Sequence, residues 1–325
     1  MTAAGRPDRA TLLAFAGVVL FGGLNTIAVR ATVQELDPEW GAGIRFVAAG
    51  LIMAALTLAR GHAFPSGRSL IGAMVYGLFG FAIAFGLVYP ALRHVQAGTA
   101  AVVIALTPLV TYALAIAQRQ ESFRLQGLIG ALIALAGIGI VFVDQLGAAV
   151  PVGDLVLVFI GTVSLSEAGI VVKRIPRSDP FGTNAVAMAT AGITLIAVSL
   201  LLGERHALPT RMETWLAVTY ITVFGSVVMF GLYVYGIARW TASGMSYSTL
   251  MLPFVSVTVA TFLTGEVFDL AFVAGGLVML AGVYLGAFGA HRPNRSTATS
   301  QPECLPLEDC ADAIPAGLRS AREGA

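Results

Sequence analysis

Charge is what this chain lacks. Asp, Glu, Lys and Arg make up 11% of its 325 residues, and 57% are hydrophobic; a soluble protein carries about 25% charged residues. With a mean hydropathy of +0.84, there is too little charge to coat a globule of this size in water. The solvent for most of the surface must be lipid. A formal net charge of +1 gives no sign of nucleic-acid binding. Cysteine is nearly absent: Cys304 and Cys310 both fall in the polar tail, and two ligands do not make a metal site. The sequence contains no HExxH, GxSxG or GxxxxGK[ST] motif. His62, His94, His206 and His291 have no second ligand at a metal spacing. These absences argue against an enzyme, a metal centre, a cofactor and an ATP-driven pump.

What the chain has is apolar runs of one length. Ten can be counted: 11–30, 41–59, 70–90, 97–117, 125–143, 153–172, 181–202, 215–237, 243–264 and 268–289. Each suits a helix through about 30 Å of hydrocarbon. Barrel strands would be half as long and would alternate in polarity. The expected fold is therefore an all-α polytopic membrane protein with ten transmembrane helices. The first run follows Arg6 and Arg9 as a signal peptide would, but it is long enough to span and reads as an uncleaved first helix. Residues 1–10 form a short N-terminal segment, and 291–325, rich in Pro, Ser, Thr and charge, read as a disordered tail.

The chain also repeats itself. Residues 79–137 lie on 224–282 at a shift of 145 without a gap, and 17 of the 59 pairs are identical, where chance gives roughly one in ten. The matches include Phe85/Phe230, Gly86/Gly231, Pro108/Pro253, Glu121/Glu266 and Gly137/Gly282. A register of 142 extends the repeat to the first two helices, placing Asp37-Pro38 on Asp179-Pro180 and Asn25 on Glu167. The two units, 11–143 and 153–290, hold five helices each. An odd count makes the copies enter the membrane from opposite sides, the architecture of alternating access.

Lys and Arg set the orientation. With the N-terminus inside, twelve fall in cytoplasmic segments (among them Arg60, Arg68, Arg119, Arg124, Lys173, Arg174 and Arg239) and five in outer loops or helices: Arg30, Arg45, Arg93, Arg205 and Arg211. That excess places both termini in the cytoplasm.

Few residues within the spans carry chemistry. Glu167, in SLSEAGIVVKR, puts a carboxylate inside the sixth span, where ionisation is costly. It suits a proton or substrate-amine site, or a structural pair. Asn25 suits a cavity-lining group or an interhelical hydrogen bond. Arg45 is open to three readings: snorkelling outwards, pairing with Glu35 or Glu39, or holding a substrate carboxylate. Pro108 and Pro253 interrupt equivalent helices and suit hinges. Ser246, Thr249 and Pro253 share a helix stripe that suits a cavity wall. Tyr89, Tyr233, Tyr235, Trp240 and Tyr247 suit a membrane interface or an aromatic substrate cage. Glu121 and Glu266 close the fourth helix of each copy and suit braces for the turn into the fifth.

LFGGLNTIAVR, GIRFVAAG and the two stretches AGTAAVVIALTPLVTYALAIAQRQE and ASGMSYSTLMLPFVSVTVATFLTGE resemble the EamA family of the drug/metabolite transporter superfamily over residues 11–290. Phe21 stands where Trp is common in that family, and Arg30 where Lys is common. The resemblance implies two inverted five-helix repeats around a central cavity, and transport without ATP. The expectation is a cell-membrane exporter of a small molecule, coupled to protons through Glu167, with lipids as its surroundings. An uncoupled facilitator is the alternative, and a non-transporting scaffold a more distant one.

Overall fold

A backbone in lipid must satisfy its hydrogen bonds within its own segment, so each apolar run winds into a helix. The computed structural model describes residues 7–95, 97–143, 151–176, 179–264 and 270–288. These form ten helices: α1 Arg9–Thr32, α2 Pro38–Ala59, α3 Arg68–Ala91, α4 97–117, α5 Leu125–Val141, α6 Val152–Arg174, α7 Pro180–Leu202, α8 Met212–Arg239, α9 Ala242–Thr264 and α10 Leu270–Phe288. No strand occurs among the described residues. Eight helices are long and apolar enough to cross a membrane; α5, at 17 residues, is shorter, and α9 runs for 23. Large apolar side chains point outwards, with Leu13 73% and Leu201 86% exposed, which suits hydrocarbon and not water. Glu266, Cys304, Cys310 and the tail lie outside the described residues.

The copies pack as rotational partners, related by a pseudo-two-fold axis. α2 packs on α7, and α5 on α10. In the first seam Gly43 meets Gly192, and Gly50 meets Ala185; a shift of 142 converts one pair into the other. In the second, Gly137 meets Met279 and Gly282 meets Ala134, related by 145. Both shifts are those read from the sequence.

The register of 142 does not hold for α1 and α6. Gly225 lies against Asn25, whereas its copy Gly80 lies against Ala168. Gly23 meets the Leu252 carbonyl, and Ser166 hydrogen-bonds the carbonyl of Thr107, the copy of Leu252. Both pairs require 143. One residue turns a helix by about 100°. Asn25 is therefore matched by Ala168, and Glu167 faces another way.

Two further features repeat. α3 contains a π-helical turn at Leu78–Ile83 and α8 one at Val223–Val228, positions related by 145. Such turns widen the helix and free carbonyl groups. The prolines, by contrast, differ between copies. α4 breaks into Ala97–Ile104 and Thr107–Ala117, with Pro108 in the first turn of its second piece, where a missing N–H costs nothing. The Thr107 hydroxyl bonds the Ile104 carbonyl at 2.5 Å, a group that Pro108 has no N–H to meet. Pro253 sits inside the unbroken α9.

Candidate functional site: a central cavity between the repeats

A cavity of about 650 Å³ lies among α1, α3, α4, α6, α8 and α9, inside the size range of small-molecule sites. Its lining runs from Gly169, Tyr233 and Ser248, five or six residues from the termini-side ends of their helices, to Val33, Leu92 and Val95 at the other end. None of the lining residues among the described ones is charged. The wall is mainly apolar, and its aromatic ridge consists of Tyr76, Phe81, Phe85, Tyr89 and Phe230, in mostly edge-on contact.

Of the residues singled out in the sequence, Asn25, Tyr89, Tyr233, Thr249 and Pro253 line this cavity. Ser246 does not; it is buried, with its hydroxyl on the Ser243 carbonyl at 2.7 Å. The five aromatics do not form one cage. Tyr235 lies under the Arg239 guanidinium, Trp240 packs on Phe15 and Phe288, and the Tyr247 hydroxyl bonds the Gly127 carbonyl at 3.0 Å. Tyr76, Thr107, Thr162 and Ser248 also line the cavity and were not singled out. Of these four, Thr107 alone stands at a repeat offset, 145, from another lining residue, Leu252; the other three carried no such signal.

Arg45 neither snorkels nor pairs with Glu35 or Glu39. It is 1% exposed. Its Nε donates to Ser226 Oγ at 2.8 Å, Nη1 to the Tyr89 hydroxyl at 3.0 Å, and Nη2 to the Gly225 carbonyl at 3.1 Å and Asn25 Oδ1 at 3.4 Å. The guanidinium also packs on Phe46 and Phe85. The π-helical turn of α8 supplies Gly225 and Ser226, so an irregular backbone is used here to receive a cation. A guanidinium stays protonated in proteins. A full positive charge thus stands behind the cavity wall, held by neutral acceptors, two of which are wall residues.

Glu167 stands outside the lining. Its Oε2 accepts from Gln118 Nε2 at 2.6 Å. Around that bond, the end of α4 is tied to the second copy. Gln120 donates to the Ile170 carbonyl at 2.9 Å, and Arg174 to the Gln118 carbonyl at 2.7 Å. Glu121 accepts from the N–H and hydroxyl of Ser243, at 3.1 and 2.5 Å. Glu121 therefore braces the start of α9 rather than the turn into α5. Lys173 donates to the carbonyls of Ile237 and Trp240. Together these bonds close the bundle at the termini end of the cavity.

The fold and cavity agree with what known proteins show. The family model described as the EamA-like transporter family matches twice, at residues 9–143 and 153–287. The uncharacterized inner membrane transporter YedA of Escherichia coli K12 is 30% identical over 269 residues, covering 82% of this chain and 87% of that one. A probable amino-acid metabolite efflux pump of Salmonella typhimurium is 24% identical, covering 84% of this chain and 93% of that one. One solved crystal structure, 22% identical, superimposes with a TM-score of 0.73 over 87% of this chain and 98% of its own; at that identity it speaks for the fold. Two family domains, ten apolar helices and an uncharged cavity between the copies make this a polytopic membrane transporter, and the chain belongs to the EamA-like transporter family.

Proposed function

We propose that this transporter exports a small amphiphilic solute across the cytoplasmic membrane by proton antiport with alternating access, both termini lying in the cytoplasm. The observation that carries the reading is the asymmetry of the cavity. It is tied shut at the termini end and extends to the other. The equivalent helices α4 and α9 adopt different shapes at equivalent prolines, one broken and one continuous. Exchanging those shapes between inverted copies would exchange which end is closed. An aromatic, uncharged wall suits a solute with an apolar body, and Asn25, Tyr89, Tyr233 and Thr249 offer it polar contacts.

Glu167 is the proton-sensitive group at the closed end. As a carboxylate it accepts from Gln118; protonation weakens that bond and loosens the end of α4. Flux of a panel of aromatic amino acids, aliphatic amino acids and amines in proteoliposomes, with and without a pH gradient, tests both parts. We expect a pH gradient to drive flux in the wild type and not in Glu167→Gln. Gradient-driven flux that survives unchanged in the variant would rule Glu167 out. A facilitator without ion coupling is the second reading, favoured by the position of Glu167 outside the lining; solute flux indifferent to pH in the wild type would establish it.

A further inference from the structure

Glu39 carries a buried carboxyl oxygen with no hydrogen-bond partner among the described residues. It opens α2, where a carboxylate would ordinarily turn towards the helix N-terminus. That place is taken. Glu204 accepts from the backbone N–H groups of Glu39 and Trp40 at 3.3 and 2.9 Å. The Glu39 side chain turns inward instead, and the residue is 2% exposed. Its carboxyl lies against Gly86 of α3; Oε2 is 3.3 Å from where a Cβ on Gly86 would stand. Oε2 is fully buried with no hydrogen-bond partner, and no cation lies within ion-pair distance of the carboxyl among the described residues.

The charges around it are accounted for. Arg93, which faces it from the end of α3, is held by Asp37 at 3.1 Å. Glu204 is a like charge. Arg45, six residues on along α2, has its donors on Ser226, Tyr89, Gly225 and Asn25. From α7, apolar Leu195 packs against the same Gly86. An ionised carboxylate so buried and so unpartnered is costly.

The carboxyl also lies near the cavity wall: Tyr89, a lining residue, is within its electrostatic reach. Gly86 directly follows Phe85 and precedes Tyr89 by one helical turn, and both line the wall. We infer that Glu39 is the cavity-side proton site of the transport cycle, protonated in this conformation and deprotonated when solute engages Asn25 and Tyr89. The inference rests on the antiport reading and adds a second carboxyl to it. The step is a simple dissociation, Glu39 COOH giving COO⁻ and a proton that leaves through the cavity. Its link to solute is Tyr89, whose hydroxyl lies within electrostatic reach of the Glu39 carboxyl. A solute that draws that hydroxyl off the Arg45 guanidinium frees it to donate towards Glu39, so the carboxylate becomes favourable. Solute binding then expels the proton, which is the sign antiport requires.

Infrared pH-difference spectroscopy on the purified protein in lipid nanodiscs tests this without any solute. The wild type is expected to show a protonated-carboxyl C=O band that disappears at alkaline pH. That band should be missing from Glu39→Gln and retained in Glu167→Gln. If Glu39→Gln does not give monodisperse protein, Glu39→Met, an apolar residue of similar volume, replaces it. A band of wild-type size in the Glu39 variant overturns the proton site. Failure of the antiport reading is distinct: wild-type solute flux indifferent to pH, with the Glu39 band present, would leave a proton site with no coupling role and overturn the link to transport.

Discussion

Arg45 converts the fold into a quantitative expectation. Its guanidinium is held by one acceptor from α3, two from α8 and one from α1. The substitution Tyr89→Phe deletes one acceptor, the hydroxyl at 3.0 Å, without changing the ring that packs on Phe85. Neutral interhelical hydrogen bonds in membranes average about 0.6 kcal/mol. A bond to a buried charge is worth more, about 1.5–3 kcal/mol, because the charge cannot recruit water once the partner is gone. The 3.4 Å bond to Asn25 is the longest of the four and offers the least compensation. We expect Tyr89→Phe to cost about 2 kcal/mol in reversible unfolding in mixed micelles. In an Arg45→Met background the Tyr89 hydroxyl has no partner, and its removal should cost less than about 0.5 kcal/mol or stabilise slightly. The coupling energy of this double-mutant cycle should therefore approach 2 kcal/mol. Equal effects of Tyr89→Phe in both backgrounds would show that the hydroxyl does not serve the guanidinium, and the account of the charged wall would fail with it.

Two further outcomes follow from the packing and the loops. In the α5–α10 seam, a Cβ on Gly137 would stand 2.4 Å from the Met279 nitrogen and 2.7 Å from the Gly275 carbonyl. Backbone cannot yield as a flexible side chain can, so Gly137→Ala should lower stability by about 1–3 kcal/mol. Gly139→Ala, which meets nothing within 4 Å, should be neutral or slightly stabilising by helix propensity; equal losses at both positions in a thermal melt would contradict the seam. At the end remote from the termini, Glu35 accepts from the Thr210 hydroxyl and N–H, and hydrogen bonds from Thr210 and Thr214 hold its pKa down at about 2, from an ordinary 4.5. A lowered folded pKa stabilises above the unfolded value and is lost as pH falls through the folded one. The melting difference between wild type and Glu35→Gln should hold from neutral pH to about 4.5 and fade towards about 2; a difference that does not change over that window would refute the assignment.

How far the sequence reached can be seen residue by residue. Pro108 and Pro253 were legible as equivalent interruptions, because a residue without an N–H marks a helix wherever it falls. That one copy is broken at its proline and the other is not was not legible, since the local sequence permits both. The pairing of Asn25 with Glu167 failed by one residue. Few identities fix that stretch, and an error of one position turns a side chain by about 100°. Glu39 was legible only as an acid that Arg45 could pair with; Glu204, 165 positions away, takes the helix end it would otherwise face.

The amino-acid sequence by itself determined that this is a ten-helix membrane protein built from two related halves. Apolar runs of bilayer length leave the backbone no other way to satisfy its hydrogen bonds, and the duplication is written in aligned residues. Tertiary structure alone decided which polar groups meet. Arg45, Tyr89, Asn25 and Ser226 come from four helices. Their convergence depends on helix rotation, on a π-helical turn that frees the Gly225 carbonyl, and on how closely glycines let the halves approach. Those quantities are set by packing between distant segments.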